Sequence, residues 1–452
     1  MNAITAKYEQ QQFTQESYSK LTGEILLTLK DAGYYFSILN LSETMIQISR
    51  DSIFLNPEFI LHYNDKTVLD TIYFAGLNKT NPQYLAREFK NFENRTLSDP
   101  IIREIKRKLE KLKFLELVGR EEIVKNKNQG YGLLLPVEEK NNNSFQGIAG
   151  FVPGKGSEKG YFTGKFDIAL SNLTGMGRKL NLHWSRMNRN SQEFHIEFFT
   201  PWIWKYNYSG QISFDQTLRD TTLASRALQA SIGRQLTSAL GLRLNLEYES
   251  HLPTPSGQEI YGLTPRKNNY IGLGVDFDNR ESIFNPLSGG TFNSGFLLGR
   301  NQIGGKSKPV CEIKVNSTYN IKLMDKIVVN TGINFQGKWK KGAKSDYSDY
   351  YWFGGAESMR GYPEDFFRGS RIGWTSFELR WLQGLYSRLY LFYERGYFYF
   401  QENGKNVQDF PSSFGAGVRL NTRAGIIGLD YAFDEDDSFT TAKIHIRFIN
   451  RF

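Results

Sequence analysis

No run of eighteen or more apolar residues occurs anywhere in the chain, which excludes transmembrane helices. Cysteine is almost missing: Cys311 stands alone among 452 residues, so neither an intramolecular disulfide nor a CxxC metal site can form. The five histidines, His62, His183, His195, His251 and His445, make no HxxxH or HExxH pair, and neither a metal nor any other cofactor is expected. A dominant charge is lacking too. The 56 basic residues are spread among 47 acidic ones, with a net charge of +9 and no aromatic-interleaved basic stripe, so no nucleic-acid partner is expected. Met1 to Gln12 carries no apolar core of a signal peptide; an exported form would have had its targeting segment removed.

What the chain does have is aromatic side chains (15%) and 42 glycines, on a background of 40% hydrophobic residues and a mean hydropathy of −0.47. Such modest hydropathy fits a soluble all-β protein, but also a transmembrane β-barrel, whose strands alternate lipid-facing and lumen-facing residues. From about Ser144 the apolar period is two. Leu242, Leu244, Leu246 and Tyr248 alternate with Arg243, Asn245, Glu247 and Glu249. The same split sets Phe166, Ile168 and Leu170 against Lys165 and Asp167, Leu180, Leu182 and Trp184 against Asn181 and His183, and Phe377, Leu379 and Trp381 against Glu378 and Arg380.

A sandwich also alternates, so strand count and loop lengths must decide. Strands are expected near 145–152, 161–171, 178–188, 192–200, 205–215, 225–235, 240–250, 268–278, 290–300, 308–320, 325–338, 372–383, 387–400, 412–421, 424–433 and 441–452. That is about sixteen, an even number as single-chain bacterial barrels use. Connections are short at 384–386 and 422–423 and long at 251–267 and 339–371, as expected if both barrel ends lie on the short-turn side.

The residues before the barrel divide at 66 and 141. In 1–66 a helical pattern from Phe13 to Ala32, with Leu21, Ile25 and Leu29 on one face, stops at Gly33 and precedes strand-like pieces near Ile46 and Phe59–Tyr63. In 67–141 the order is strand (Thr67 to Gly76), short helix (Pro82 to Phe89), longer helix (Pro100 to Leu115), and strands near Val118–Val124 and Tyr131–Val137. Asp99 is the expected cap of the longer helix, and Ile101, Ile105, Leu109 and Leu112 its apolar stripe. Arg103, Lys106, Arg107 and Lys111 then form a basic face, read as solvated or as a surface for acidic lipid or clients. This β-α-α-β-β order resembles a POTRA domain, so 1–66 reads as a partial POTRA-like domain, 67–141 as a complete one, and 142–452 as the barrel.

The longest connection carries Gly354-Gly355-Ala356-Glu357-Ser358-Met359-Arg360-Gly361-Tyr362, and a following strand carries Phe392-Tyr393-Glu394-Arg395-Gly396. Parity places Phe392, Glu394 and Gly396 on the lumen side and Arg395 outside, snorkelling. A loop arginine facing a wall acid can pin the loop inside the lumen, with Gly396 leaving it room. Arg360-Gly361-Tyr362 is similar to the Arg-Gly-Phe/Tyr loop signature of the BamA superfamily of outer-membrane assembly and secretion barrels. The Phe392 segment resembles the family's Phe-x-Asp-x-Gly strand motif, with glutamate in place of aspartate. Asp276-Phe277-Asp278-Asn279-Arg280, with Phe284-Asn285-Pro286 and Gly289-Gly290, resembles a periplasmic-side turn of such barrels.

The resemblance implies a transmembrane antiparallel β-barrel in the bacterial outer membrane, with the amino-terminal domains periplasmic. It implies no enzymatic activity but delivery of unfolded client polypeptides into or across that membrane. Outer-membrane lipid, clients, and periplasmic or lipoprotein accessory subunits would be its partners. Its loop latch would comprise Arg360, Gly361, Tyr362, Phe392, Glu394 and Gly396. A lateral seam is the second candidate: Gly147 and Gly150 interrupt the first strand, while Ile446, Phe448 and Phe452 lie on one face of the last. An unpaired edge there would template a client strand. A two-partner secretion pore for a single exoprotein is the alternative function. A barrel enzyme is the least favoured, since no compact Ser/His/Asp constellation occurs, Gly272-x-Gly274 lacks the spacing of a nucleotide loop, and His183 and His195 read as polar wall groups.

Overall fold

The computed structural model describes residues 2–9, 11–49, 52–63, 65–126, 130–152, 161–186, 190–204, 206–219, 221–282, 284–342, 345–402, 405–422 and 425–449. They form two compact units, Met1–Lys140 and Asn141–Phe452.

In the first unit, helix Gln15–Asp31 starts from a reciprocal cap. The Ser17 N–H donates to the Thr14 hydroxyl at 3.0 Å, and the Thr14 N–H donates to the Ser17 hydroxyl at 2.9 Å. The helix stops before Gly33, whose φ of +97° suits glycine. An antiparallel hairpin, Ile38–Ser49 with Ser52–His62, follows. Beyond it come strand Val68–Ala75, helices Pro82–Phe89 and Asp99–Lys111, short strands Leu115–Leu117 and Glu122–Lys125, and strand Tyr131–Glu139. The last strand runs parallel to the first of this group and antiparallel to the two short ones.

Helix Asp99–Lys111 differs from expectation at both ends of its pattern. Ser98, in extended conformation, occupies the cap position, and Asp99 is the first helical residue. Ile102 joins Ile101, Ile105 and Leu109 in the buried stripe, whereas Leu112 is half-buried. The basic face is partly ion-paired: Lys106 meets Glu121 at 2.5 Å. Ile105 is fully buried, so Ile105→Ala should destabilise this unit by roughly 2–5 kcal/mol, read as earlier cleavage within 67–140 during limited proteolysis of the whole protein.

Glu139, at the end of the closing strand, accepts the N–H groups of Thr80 at 2.7 Å and Lys79 at 2.9 Å. Burial alone would push its carboxyl up, but the backbone donors led by Thr80 outweigh that and hold it below the ordinary value. A depressed carboxylate contributes stability above its unfolded-state range that is lost as pH falls through the folded-state value. Proteolysis of the Asn78–Thr80 turn should therefore accelerate in acid for the natural protein and lose that pH dependence in Glu139→Gln.

The second unit is a large antiparallel sheet of barrel type. Among the described residues it has sixteen long strands and one short one, Lys405–Asp409, and its order returns from the last strand, Lys443–Ile449, to the first, Ser144–Val152. Each expected strand has a counterpart, several longer, as in Gly289–Ile303 and Lys306–Lys322; the one expected at 205–215 lies at Ser209–Arg219, Lys405–Asp409 was not expected, and 450–452 of the last lie outside the described residues. Parity holds: Leu242, Leu244 and Leu246 are 44%, 43% and 52% exposed on the outer face, while Arg243 pairs with Asp276 at 2.5 Å inside. The two long connections behave differently. The one after Leu240–Pro253 forms helix Pro255–Tyr261, and the one after Ile327–Lys340 folds inward.

Candidate functional site: the inward loop and its carboxylate wall

The inward loop is built as a small hairpin, Tyr351–Phe353 paired with Phe367–Gly369, carrying its tip between them. Phe353, Met359, Tyr362 and Ile372 form a buried apolar cluster with Phe367, Trp374 and Phe398 packed around it, so the loop's apolar residues pack against wall residues of strands Arg371–Gln383 and Ser387–Glu402. At the tip, the Gly354 N–H donates to the Ser358 hydroxyl at 2.7 Å and the Gly355 N–H donates to the Met359 carbonyl at 3.0 Å. These bonds project Arg360 toward the wall.

The wall is strand Ser387–Glu402, whose alternate residues Tyr390, Phe392 and Glu394 are at most 5% exposed while Tyr393 is 47% exposed. Arg360 Nε–H and Nη2–H donate to Glu394 Oε1 at 2.8 and 2.5 Å, and the Arg360 backbone N–H donates to Glu394 Oε2 at 2.7 Å. Both carboxylate oxygens of Glu394 are thus engaged by one residue. The guanidinium also lies 3.7 Å above the Phe392 ring. Gly415 and Gly417 on the next strand make this shelf possible. A Cβ on Gly415 would stand 2.6 Å from the Phe392 ring, and one on Gly417 2.4 Å from Tyr390.

Gly396 and Gly361 are required for close approach. A Cβ on Gly396 would lie 2.8 Å from Met359 Sδ. Gly361 has φ +89°, and a Cβ there would meet the Phe433 backbone at 2.8 Å. Its N–H donates to His445 Nε2 at 3.4 Å on the last strand, and Tyr362 donates its hydroxyl to the Ser412 carbonyl at 3.0 Å. All six residues assigned to the latch therefore meet in one place. Gly361→Ala should lift the tip from Phe433 and weaken docking by at least ten-fold, visible as faster hydrogen exchange at the Arg360 and Gly361 amides.

Two further acids belong to the site. Glu378 meets Arg360 Nη2 at 2.9 Å and Arg380 at 2.6 Å. Asp430 lies 3.8 Å from Arg360 Nη1 and 2.6 Å from Arg447, and accepts the Tyr390 hydroxyl. Three carboxylates thus meet three guanidiniums in a confined space, with Arg388 buried close by on the strand of Glu394. Glu378 had lumen parity in the sequence; Asp430 carries no motif, and only strand register brings it near.

A second buried group, which no motif marks, holds the base of the loop. Arg266, with a fully buried side chain, meets Asp346 at 3.0 Å and Asp349 at 2.6 Å, and Lys340 also meets Asp349. Tyr347 stacks on Tyr261 with centroids 4.5 Å apart. Arg395 points outward as parity required and meets Glu435 at 3.6 Å. On the short-turn side, Asn285 donates to the Gly384 and Ser387 carbonyls at 2.9 and 3.0 Å, so the turn resembling the family's fastens onto a distant hairpin.

Of the seam residues, Gly147 and Gly150 lie opposite Phe166 and Thr163. The Phe166 ring occupies the space a Cβ on Gly147 would fill, 2.7 Å away, which gives that glycine a packing role. Ile446 and Phe448 lie opposite Leu429 and Ile427, and Ile446 is 71% exposed. Phe452 lies outside the described residues.

An antiparallel barrel with a guanidinium-tipped inward loop defines a class of outer-membrane barrel. The Omp85 superfamily domain matches residues 172–452, more than half the chain, and the protein belongs to that superfamily. Similar solved structures include BamA from Haemophilus ducreyi lacking POTRA domains 1–3, at 18% identity and TM-score 0.56 over 96% of this chain and 93% of that one. CdiB from Acinetobacter baumannii aligns at 14% identity and TM-score 0.54 over 96% and 82% of the two chains. CdiB from Escherichia coli aligns at 14% and 0.56 over 98% and 85%. No curated protein matches the chain.

Proposed function

We propose that this protein delivers unfolded polypeptide into or across the bacterial outer membrane. The supporting observation is the loop tip, where Arg360 is held by Glu394 and Glu378 on neighbouring strands. A loop fixed by charge inside the lumen can be released without unfolding the barrel, because the wall's hydrogen-bond ladder runs from Ile327–Lys340 directly to Arg371–Gln383 and the loop hairpin is a separate sheet. In this reading 67–141 acts as a periplasmic POTRA domain and 1–66 as a partial one, each presenting sheet edges to clients or accessory subunits. The seam between Ser144–Val152 and Lys443–Ile449 would hand client strands to the bilayer. The protein acts as a transporter or assembly factor, without catalysis.

A two-partner secretion pore is the second reading, favoured by a lumen cavity of about 410 Å³ lined with Ser213, Gln229, Asn245, Asn316, Asn334 and Gln336. Such amide and hydroxyl groups match the donors and acceptors of an extended backbone. Depletion followed by an outer-membrane and secreted proteome separates the two. General loss of barrel proteins is the result expected of an assembly factor, and loss of one secreted client that of a pore. An unchanged proteome would sink both.

A further inference from the structure

Four residues on four adjacent strands form a row with mirror-like order: Asp167, His183, His195 and Asp215. His183 lies directly opposite Asp167 and His195 in the two registers, and His195 lies opposite Asp215. All four are partly exposed, with side-chain accessibilities of 30–38%. They face the lumen, because the neighbouring row on the same face, Asn181, Glu197 and Gln211, is hydrogen-bonded together and Gln211 lines the lumen cavity.

The orientation of the two rings is fixed from outside the pair. His183 Nδ1 meets Asp167 Oδ1 at 2.5 Å, and His195 Nδ1 meets Asp215 Oδ1 at 2.6 Å. A carboxylate accepts, so Nδ1 is the donating nitrogen of each ring, and in the neutral ring Nε2 is then the nitrogen with the lone pair. With each Nδ1 edge held by an aspartate on its outer side, the Nε2 edge of each ring is the one left for the directly opposed imidazole. Directly opposed residues on antiparallel strands have Cβ atoms about 4.5–5.5 Å apart, close enough for two imidazoles to reach one ion. Neither Nε2 has a hydrogen-bond partner among the described residues.

We propose that His183 and His195 form a two-imidazole site for a divalent transition-metal ion of the zinc, copper or nickel class. Imidazole suits these ions, and a carboxylate on the far ring nitrogen is the arrangement that fixes tautomer and raises ligand basicity. The local charge favours a cation. Asp167, Asp215, Glu193 and Glu197 outnumber Lys165, 3.6 Å from Asp167, and Arg219, 3.9 Å from Glu193. No third His, Cys, Asp or Glu among the described residues completes the site, which leaves the remaining positions to water or a polypeptide side chain. The metal links two neighbouring strands and offers a client histidine or thiolate a point of attachment.

The test is a Cu²⁺ titration of the full-length protein in detergent, followed by electron paramagnetic resonance. One ion per chain with a two-nitrogen signature is expected. His183→Gln and His195→Gln should each weaken binding at least ten-fold, and Asp167→Asn roughly 10- to 100-fold. His62→Gln should leave it unchanged. Binding should also weaken in acid, where protons compete for both imidazoles. Absence of this signal in the natural protein overturns the proposal, as does undiminished affinity in both single histidine variants. The double variant, checked for a folded barrel by its heat-dependent gel migration, should lose the site, and retained binding there would equally overturn it.

Discussion

Arg360→Ala is expected to abolish most client delivery, by ten-fold or more, while the barrel still inserts. The charge set explains both halves of that result. Arg360, Arg380 and Arg447 face Glu378, Glu394 and Asp430, and removing one guanidinium leaves Glu394 without its main partner. Breaking a buried pair costs roughly 3–5 kcal/mol, less where water enters. Even about 3 kcal/mol shifts the loop's docking equilibrium more than a hundred-fold. The strand ladders do not pass through the loop, so heat-dependent migration of the barrel should be retained. Arg360→Lys should be intermediate, because one ammonium cannot span Glu394 and Glu378 as the fork does. Glu394→Gln should be milder than Arg360→Ala, since an amide oxygen still accepts from the loop. Single-channel recording gives an independent reading: openings should become more frequent in Arg360→Ala. Unchanged conductance together with unchanged delivery would sink the latch.

Arg266→Ala should produce the second large effect, at the base of the same loop. Its side chain is fully buried between Asp346 and Asp349, so its loss leaves two acids with Lys340 as the remaining neighbour. A penalty of roughly 3–5 kcal/mol applies to the 3-10 turn Tyr347–Asp349 and to the stacking of Tyr347 on Tyr261. Protection of the Ser348 and Asp349 amides against hydrogen exchange should fall at least a hundred-fold, and external protease should cut near 341–350. The tip amides at Arg360 and Gly361 should keep most of their protection, because their partners lie on other strands. Equal loss at both places would mean that the loop undocks as one body, against two independent anchors.

Much of this was visible in the chain itself. Period-two alternation located Leu240–Pro253 and Arg371–Gln383 because one face of each meets lipid and the other water, a contrast that side-chain chemistry records directly. The Arg360–Glu394 pair was readable because each residue sits in a compact motif, and parity alone turned Glu394 inward. Asp430 and the Arg266–Asp349 pair were not readable. Asp349 lies 83 residues from Arg266, and such contacts depend on strand register and on loop folding, neither of which leaves a local mark. The cap at Ser98 was misplaced by one residue because Asp99 and Ser98 are both good capping types, and only backbone conformation separates them.

The bond from Gly361 to His445 has a mechanical consequence. That imidazole stands on the final stave of the cask, and Tyr362 grips Ser412 two staves earlier. Hauling the stopper out would strip partners from these staves in the same stroke. Uncorking the bore therefore leaves the final stave short of one side-chain partner.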